Sequence, residues 1–341
     1  MSVAAQFEIE YLQYMDADGQ LVRDDLPADA ANPQQLLALF KRMLFVRTFD
    51  SKSIALQRTG KLGTYAASLG HEATHVGIGA SMRSGDVFAP SYREYGTMFE
   101  RGVRPRDVLL YWGGDERGSD YPRDADAAID FPICVPISTQ CLHAAGAALS
   151  FKLQGKAQVA VACCGDGGSS KTDFYAALNS AGAYTLPLIL CVINNGWAIS
   201  VPRSAQTGAQ TLAQKGLAGG LHCLQVDGND LIAVLEAMRQ ARARDQPFAA
   251  GRAGREGRRG HARDRGDIAA CKRAGCAGQQ SGGGGEGADH GASPRAARAS
   301  NEGQGVVASL PMASANDSVM VFHHSSLTRV GPRLPQQVSE P

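Results

Sequence analysis

Apolar positions in the first third of the chain recur with helical spacing. From Pro33 to Thr48 the residues Leu36, Leu37, Phe40, Leu44 and Phe45 repeat at three- and four-residue intervals, which predicts a helix. A Gly-punctuated stretch, Arg58 to Gly70, follows. His71 to Met82 predicts a short helix with Ala73, Val76, Gly77 and Ala80 on one face. Tyr92 to Arg101 and Arg106 to Trp112 predict two more. Pro122 to Pro136 holds three prolines and predicts a loop.

Beyond the loop, helical and strand-like patterns alternate. Thr139 to Leu153 predicts a helix with Leu142, Ala145, Leu149 and Leu153 on one face. Gln158 to Cys164 is a short apolar run suited to a strand buried on both faces. Gly165 to Gly168 forms a turn, and Ser170 to Tyr184 a helix with Phe174, Ala177, Leu178 and Ala181 inward. Ser170 is a candidate cap for that helix, with Asp173 in its first turn. Pro187 to Ile193 is a second buried strand, Cys223 to Val226 a third, and Asp230 to Arg244 a further helix. Strand, helix and strand in this order predict the α/β class, with a mainly parallel sheet and helices on both faces. Residues 1–32 are polar and predict a loosely packed arm, leaving residues 33–245 as the folded domain.

The pattern then breaks. Between Ala249 and Gly303 the only large aliphatic or aromatic residue is Ile268, and residues 282–285 are four consecutive glycines. Such a segment buries too little apolar surface to offset the entropy of ordering it. Residues 306–322 regain some apolar residues without a clear period. Two readings of the tail, residues 246–341, follow: a disordered low-complexity segment, or loss of the reading frame near residue 246. The Ala/Gly/Arg vocabulary and the abrupt break favour the second.

Composition narrows the function classes. Across 341 residues the formal net charge is +1, which gives no reason to expect a nucleic-acid or membrane-surface partner. No run of eighteen apolar residues occurs, so no membrane span is expected. The first twenty residues lack a basic stretch followed by an apolar run, so no secretory signal is expected. The eight cysteines show no paired spacing; they read as reduced thiols in a cytoplasmic protein.

The strongest chemical signal is Gly165-Asp166-Gly167, then 26 residues, then Asn194-Asn195. Each half follows a predicted buried strand. The carboxyl ends of neighbouring parallel strands are where open α/β sheets bind ligands. Glycines let backbone N–H groups approach an anion, and a following helix N-terminus favours it. Asp166 and Asn195 offer oxygens to a hard divalent cation, and the carbonyl of Trp197 is a third donor. Alone, Gly-Asp-Gly is usually a turn and Asn-Asn-Gly a hairpin signal. The pairing, across one crossover helix, is far more specific.

The segment GDGGSSKTDFYAALNSAGAYTLPLILCVINNGWAIS resembles the thiamine-diphosphate motif of 2-oxo acid dehydrogenase alpha subunits. RTFDSKSIALQRTGKLGTY, GHEATHVGIGA, PSYREYG, YWGGDERGS and VPISTQCLHAAGAALSFK resemble segments that precede that motif in the family, and SVPRSAQTGAQTLAQKGLAGG and VDGNDLIAVLEAM segments that follow it. Coverage is about residues 40–245. The resemblance implies the thiamine-diphosphate-binding fold. It assigns magnesium to Asp166, Asn195 and the Trp197 carbonyl, and the diphosphate to the backbone of Gly167 and Gly168. Tyr92 and Arg93 match a cofactor-binding pair, the guanidinium fork suiting phosphate oxygens. Val135 and Ile137 match positions that pack on the cofactor or present backbone to it. In branched-chain members the loop matching Cys134, Pro136, Thr139 and Gln140 holds a potassium ion.

The implied reaction is oxidative decarboxylation of a 2-oxo acid, with the acyl group passed to a lipoyl-bearing acyltransferase. It implies a separate beta subunit, which supplies a glutamate to the cofactor, in a two-alpha, two-beta tetramer. YWGGDERGS and SVPRSAQTG are more similar to the pyruvate group than to the branched-chain (3-methyl-2-oxobutanoate) group. The family's next strand and its loop, with a catalytic histidine in a Thr-Tyr-Arg … His context, find no match here. His261 is the only nearby histidine and stays unassigned, so no catalytic residue is named. A missing strand predicts an exposed sheet edge and an impaired enzyme. Two other classes compete. His71-Glu72-Ala73-Thr74-His75 fits the H-E-x-x-H pattern of zinc hydrolases, with Glu94 as third ligand, but leaves Gly165 to Asn195 unexplained. A cofactor-free subunit or decayed remnant is the non-enzyme reading.

Overall fold

The computed structural model describes residues 2–27, 30, 32–244 and 318–323. In chain order the first half comprises β1 (Glu10–Leu12), α1 (Pro33–Arg58), α2 (Glu72–Ser81), β2 (Val87–Ala89), α3 (Tyr95–Glu100), α4 (Pro105–Trp112) and α5 (Thr139–Gln154). Then come β3 (Ala160–Gly165), α6 (Thr172–Tyr184), β4 (Leu188–Asn194), the small hairpin β5 (Trp197–Ala198) and β6 (Val201–Pro202), α7 (Arg203–Gln206) and α8 (Gln214–Leu217). β7 (His222–Asp227), α9 (Leu231–Arg244) and β8 (Ser318–His323) complete the described elements. The main sheet has the order β1-β7-β8-β4-β3-β2, and every neighbouring pair is parallel.

Both faces of the sheet are covered, which explains the unbroken apolar runs of β3 and β4. Along β3, Val161 and Cys163 enter one core cluster, while Ala160, Ala162 and Cys164 enter the other. The first cluster is closed by Ile78 of α2, Tyr95 and Met98 of α3, and Val234, Ala237 and Met238 of α9. The second is closed by α5 and α6. In α6 the buried residues are Phe174, Ala177, Leu178 and Ala181, as the pattern predicts.

Elsewhere the packing departs from the pattern. α5 turns Cys141, Ala144, Ala145 and Ala148 to the sheet, and Leu153 is exposed. Small side chains let a helix lie close to a strand, so closeness decided the face and the leucines fell to its margins. α1 starts at its Asn32 cap, whose Oδ1 accepts from the amides of Gln34 (3.1 Å) and Gln35 (3.3 Å), and runs ten residues past Thr48. Its buried face is Leu39, Val46, Phe49, Asp50 and Ser53, while Leu37, Phe40, Leu44 and Phe45 stay exposed. Ala80 is exposed on α2, which is otherwise buried nearly all round. Ser170 does not cap α6: it ends a 3-10 turn, Gly168–Ser170, and Lys171 takes the cap position without a side-chain bond. The Pro122 to Pro136 loop includes a short 3-10 turn, Asp126–Ile129.

The arm is also tied down. β1 pairs with β7, and Asp230 Oδ2 accepts from the amides of Tyr14 (2.6 Å) and Met15 (2.8 Å). Polar composition misled there, because an edge strand of three residues needs only one inward apolar residue, Leu12.

The larger correction concerns the tail. Residues 318–323, read as unstructured, form β8 between β7 and β4, the position where an open sheet edge was expected. Val319 to Phe322 is an unbroken apolar run, the composition of a central parallel strand, and such a strand has no period to detect. Residues 246–317 and 324–341, including His261, lie outside the described residues, as do the readings made for them. Among the described residues no helix is long and apolar enough to cross a membrane.

Candidate active site

β3 ends at Gly165, and the next six residues turn sharply before α6 begins. Two side chains clamp this turn from behind. Ser138 Oγ donates to the Gly168 carbonyl at 2.7 Å, with Ser138 held in the left-handed region at φ 69°. Lys215 Nζ donates to the carbonyl and hydroxyl of Ser169, both at 2.9 Å, and to Ser170 Oγ at 3.2 Å. Burial pushes the Lys215 ammonium below the usual lysine range. The glycines are required by packing as well as by any ligand. A Cβ on Gly167 would meet Ala198 Cβ at 2.5 Å, and one on Gly168 would meet Ser138 Oγ at 2.8 Å and Cys164 Cβ at 3.1 Å. Gly168→Ala is therefore expected to cost about 1–3 kcal/mol of stability, measured by urea unfolding.

At the end of β4, two asparagines fold the chain back. Asn194 Oδ1 accepts from Gly196 N and Asn195 Oδ1 from Trp197 N, each at 3.1 Å, and Gly196 takes φ +82°. The β5–β6 hairpin follows. It leads into α7, whose Gln206 reaches back to Asp166: Nε2 donates to Oδ2 at 3.2 Å and to the Val201 carbonyl at 3.1 Å.

A third wall comes from the turn before α3. The predicted helix begins later than its pattern, at Tyr95, because Glu94 accepts from both the amide and the hydroxyl of Ser91 at 2.8 Å. That brace leaves Tyr92 and Arg93 in a turn, not on a helix. Arg93 also donates to the Ala67 carbonyl, and its guanidinium lies 5.6 Å from the Tyr92 ring centroid.

These three walls enclose a cavity of about 530 Å³, within the size range of small-molecule sites. Asp166, Gly167, Gly168, Asn195 and Trp197 line it, as do Tyr92, Arg93 and Ile137. Val135 does not; it is half exposed. Asp166 is nearly fully buried, and that burial raises its carboxyl above the usual range, a shift the Gln206 hydrogen bond partly opposes. Glu94 is likewise raised by burial. His71, Ser138, Lys171 and Gln206 also line the cavity. None of these four is marked as a cavity residue by the sequence pattern. Gln206 carries no local signal, and His71 was weighed only within H-E-x-x-H.

That zinc pattern does not assemble. His71 and His75 rings lie 5.4 Å apart, but Glu72 is held by Arg47 at 2.8 and 2.9 Å, and Glu94 by Ser91. Among the described residues no group of three or more His, Cys, Asp or Glu is placed to hold a metal.

A parallel α/β sheet carrying a glycine turn, a buried carboxylate and an arginine at its carboxyl end defines a class of proteins that bind anionic cofactors there. The family described as "Dehydrogenase E1 component" matches residues 40–250, and this chain belongs to it. The pyruvate dehydrogenase E1 component subunit alpha of Staphylococcus epidermidis (strain RP62A) is 40% identical over 239 residues, 70% of this chain and 64% of that protein. The protein of the same name from Staphylococcus aureus (strain Mu50) is 39% identical over the same extent. The chain thus spans 64% of the length of these curated relatives.

Proposed function

We propose that this chain is the thiamine-diphosphate-binding alpha subunit of a pyruvate dehydrogenase. The reading is carried by one observation: Asp166 and Asn195, from the ends of adjacent strands β3 and β4, line a single cavity with Tyr92 and Arg93. The residues fit the cofactor. Gly167 and Gly168 are shaped by Ala198 and Ser138 into a tight turn, and the desolvated Asp166 carboxylate gains from a dication beside it.

In this reading Asp166, Asn195 and the Trp197 carbonyl hold magnesium. Asn195 Oδ1 accepts one bond from Trp197 N and keeps a second lone pair for the cation. Arg93 and the backbone of Gly167 and Gly168 bind the diphosphate. Ile137 packs against the cofactor. When bound, thiamine diphosphate supplies the electron sink for loss of carbon dioxide from a 2-oxo acid. The chain's part is to hold and orient it. A potassium ion beside Cys134, Pro136, Thr139 and Gln140 is supported by Gln140 Oε1, which is buried without a hydrogen-bond donor among the described residues.

The family and its relatives support a beta-subunit partner. Trp197, Ile199 and Val201 line the cavity and are exposed, apolar surface of the kind a beta subunit would cover. A lipoyl-bearing acyltransferase receives the acyl group, and the assembly works in the cytoplasm with its thiols reduced. Pyruvate is favoured over 3-methyl-2-oxobutanoate by the similarity to the two staphylococcal pyruvate dehydrogenase alpha subunits.

The test is assay of the full chain, co-expressed with a beta subunit, on both 2-oxo acids with an artificial electron acceptor. Pyruvate is expected to be the better substrate, at a rate below that of an intact relative because the histidine loop has no match here. Equal or better turnover of the branched acid would overturn the substrate assignment. Absence of magnesium-dependent thiamine diphosphate binding would favour the cofactor-free or remnant reading, and such binding, lost in Asp166→Ala, would argue against it.

A further inference from the structure

Gln206 lies forty residues from Asp166 in sequence, yet its amide is committed to that carboxylate. Several bonds place it there. Arg203 N donates to the Gly196 carbonyl at 2.9 Å, closing the hairpin, and Arg203 Nη2 donates to the carbonyls of Ala209 (2.9 Å) and Gln210 (2.7 Å). α7 is thereby pinned across the cavity, and Gln206 Nε2 bridges Asp166 Oδ2 and the Val201 carbonyl. Its Oε1 sits over the turn, 3.4 Å from where a Gly167 Cβ would be. A carboxylate whose one oxygen accepts a fixed N–H presents the other in a fixed direction. Partners of this kind, one step out from a metal, govern ligand orientation and affinity.

We infer that Gln206 is a positioning residue for the cation site, fixing the rotamer of Asp166 so that its second oxygen faces the metal. This rests on the magnesium reading proposed above. The charge logic gives two variants opposite signs. Gln206→Ala frees the Asp166 carboxylate to rotate. Gln206→Glu places a second carboxylate beside it, and a dication relieves the repulsion between the two.

The experiment is calorimetric titration of thiamine diphosphate into the full chain, co-expressed with a beta subunit, at a series of magnesium concentrations. Asp166→Ala serves as the control, and each variant's fold is checked by circular dichroism. For Gln206→Ala the half-saturating magnesium concentration is expected to rise about tenfold, with full binding restored at excess magnesium. For Gln206→Glu it is expected to fall below the wild-type value. A Gln206→Ala protein with wild-type magnesium dependence would overturn the inference while leaving the cofactor reading intact, provided Asp166→Ala loses binding. Equal weakening in both variants, not restored by magnesium, would reduce Gln206 to a structural role and overturn it as well. Absence of any magnesium-dependent binding in the wild type would overturn both.

Discussion

Asp166→Ala is expected to weaken magnesium-dependent binding of thiamine diphosphate by more than about a hundredfold, since loss of mere outer partners of a metal ligand costs tenfold to a hundredfold. The substitution leaves only the neutral oxygens of Asn195 and Trp197 for the cation, and a hard dication is held chiefly by carboxylate and phosphate oxygens. Asp166→Asn, which keeps the volume and the bond from Gln206, separates charge from shape. It should bind nearly as poorly. Without cofactor, however, it should unfold no more easily than the wild type. Burial raises the folded-state pKa of Asp166, so the folded chain favours the neutral acid. The stability that neutral Asp166 contributes is present below the unfolded carboxylate pKa and lost as pH rises through the folded value. Where Asp166 is ionised, the unliganded wild type carries a desolvated charge that the amide lacks. Titration calorimetry and thermal unfolding of the two variants check both halves. Tight binding by Asp166→Asn would show that the carboxylate charge is not what holds the metal.

Phe322→Ala is expected to cost about 3–5 kcal/mol in urea unfolding, the range for deleting a buried aromatic ring from a packed core. Phe322 is fully buried in the core cluster that also holds Ile193 and Val226, and it pairs in register with both residues. Met320, also fully buried, pairs with Cys191 and Leu224. β8 lies inside the sheet, so weakening it exposes the pairing edges of β4 and β7 together. A loss below about 1 kcal/mol, typical of surface substitutions, would mean that residues 318–323 do not occupy the sheet in solution.

The Gly165–Asp166–Gly167 turn and the Asn194–Asn195 pair are legible in the sequence because each follows an apolar run that only a doubly covered parallel strand requires. Two such strands joined by one crossover helix are parallel, so their exits share an end of the sheet, and they are most often neighbours, as β3 and β4 are here. Local order thus dictated that Asp166 and Asn195 meet. The inward face of α6 was legible for a similar reason: Phe174 and Leu178 are large, and little else on that helix competes to be buried.

Other features depended on contacts far apart in the chain. Gln206 reaches Asp166 only because the hairpin and α7 fold back over the cavity. Tyr92 and Arg93 face it because Glu94 binds Ser91 and delays the start of α3. α5 buries alanines in preference to leucines because the sheet rewards closeness. The fourth strand of the six-strand order, β4, has β8 as its neighbour, a segment more than a hundred residues further on. What the sequence determined by itself was the local alternation of elements, and with it the pair of strand ends that forms the site. The tertiary structure alone decided which distant groups orient that site and which strand closes the sheet, because burial and hydrogen bonding between remote segments leave no periodic trace in either one.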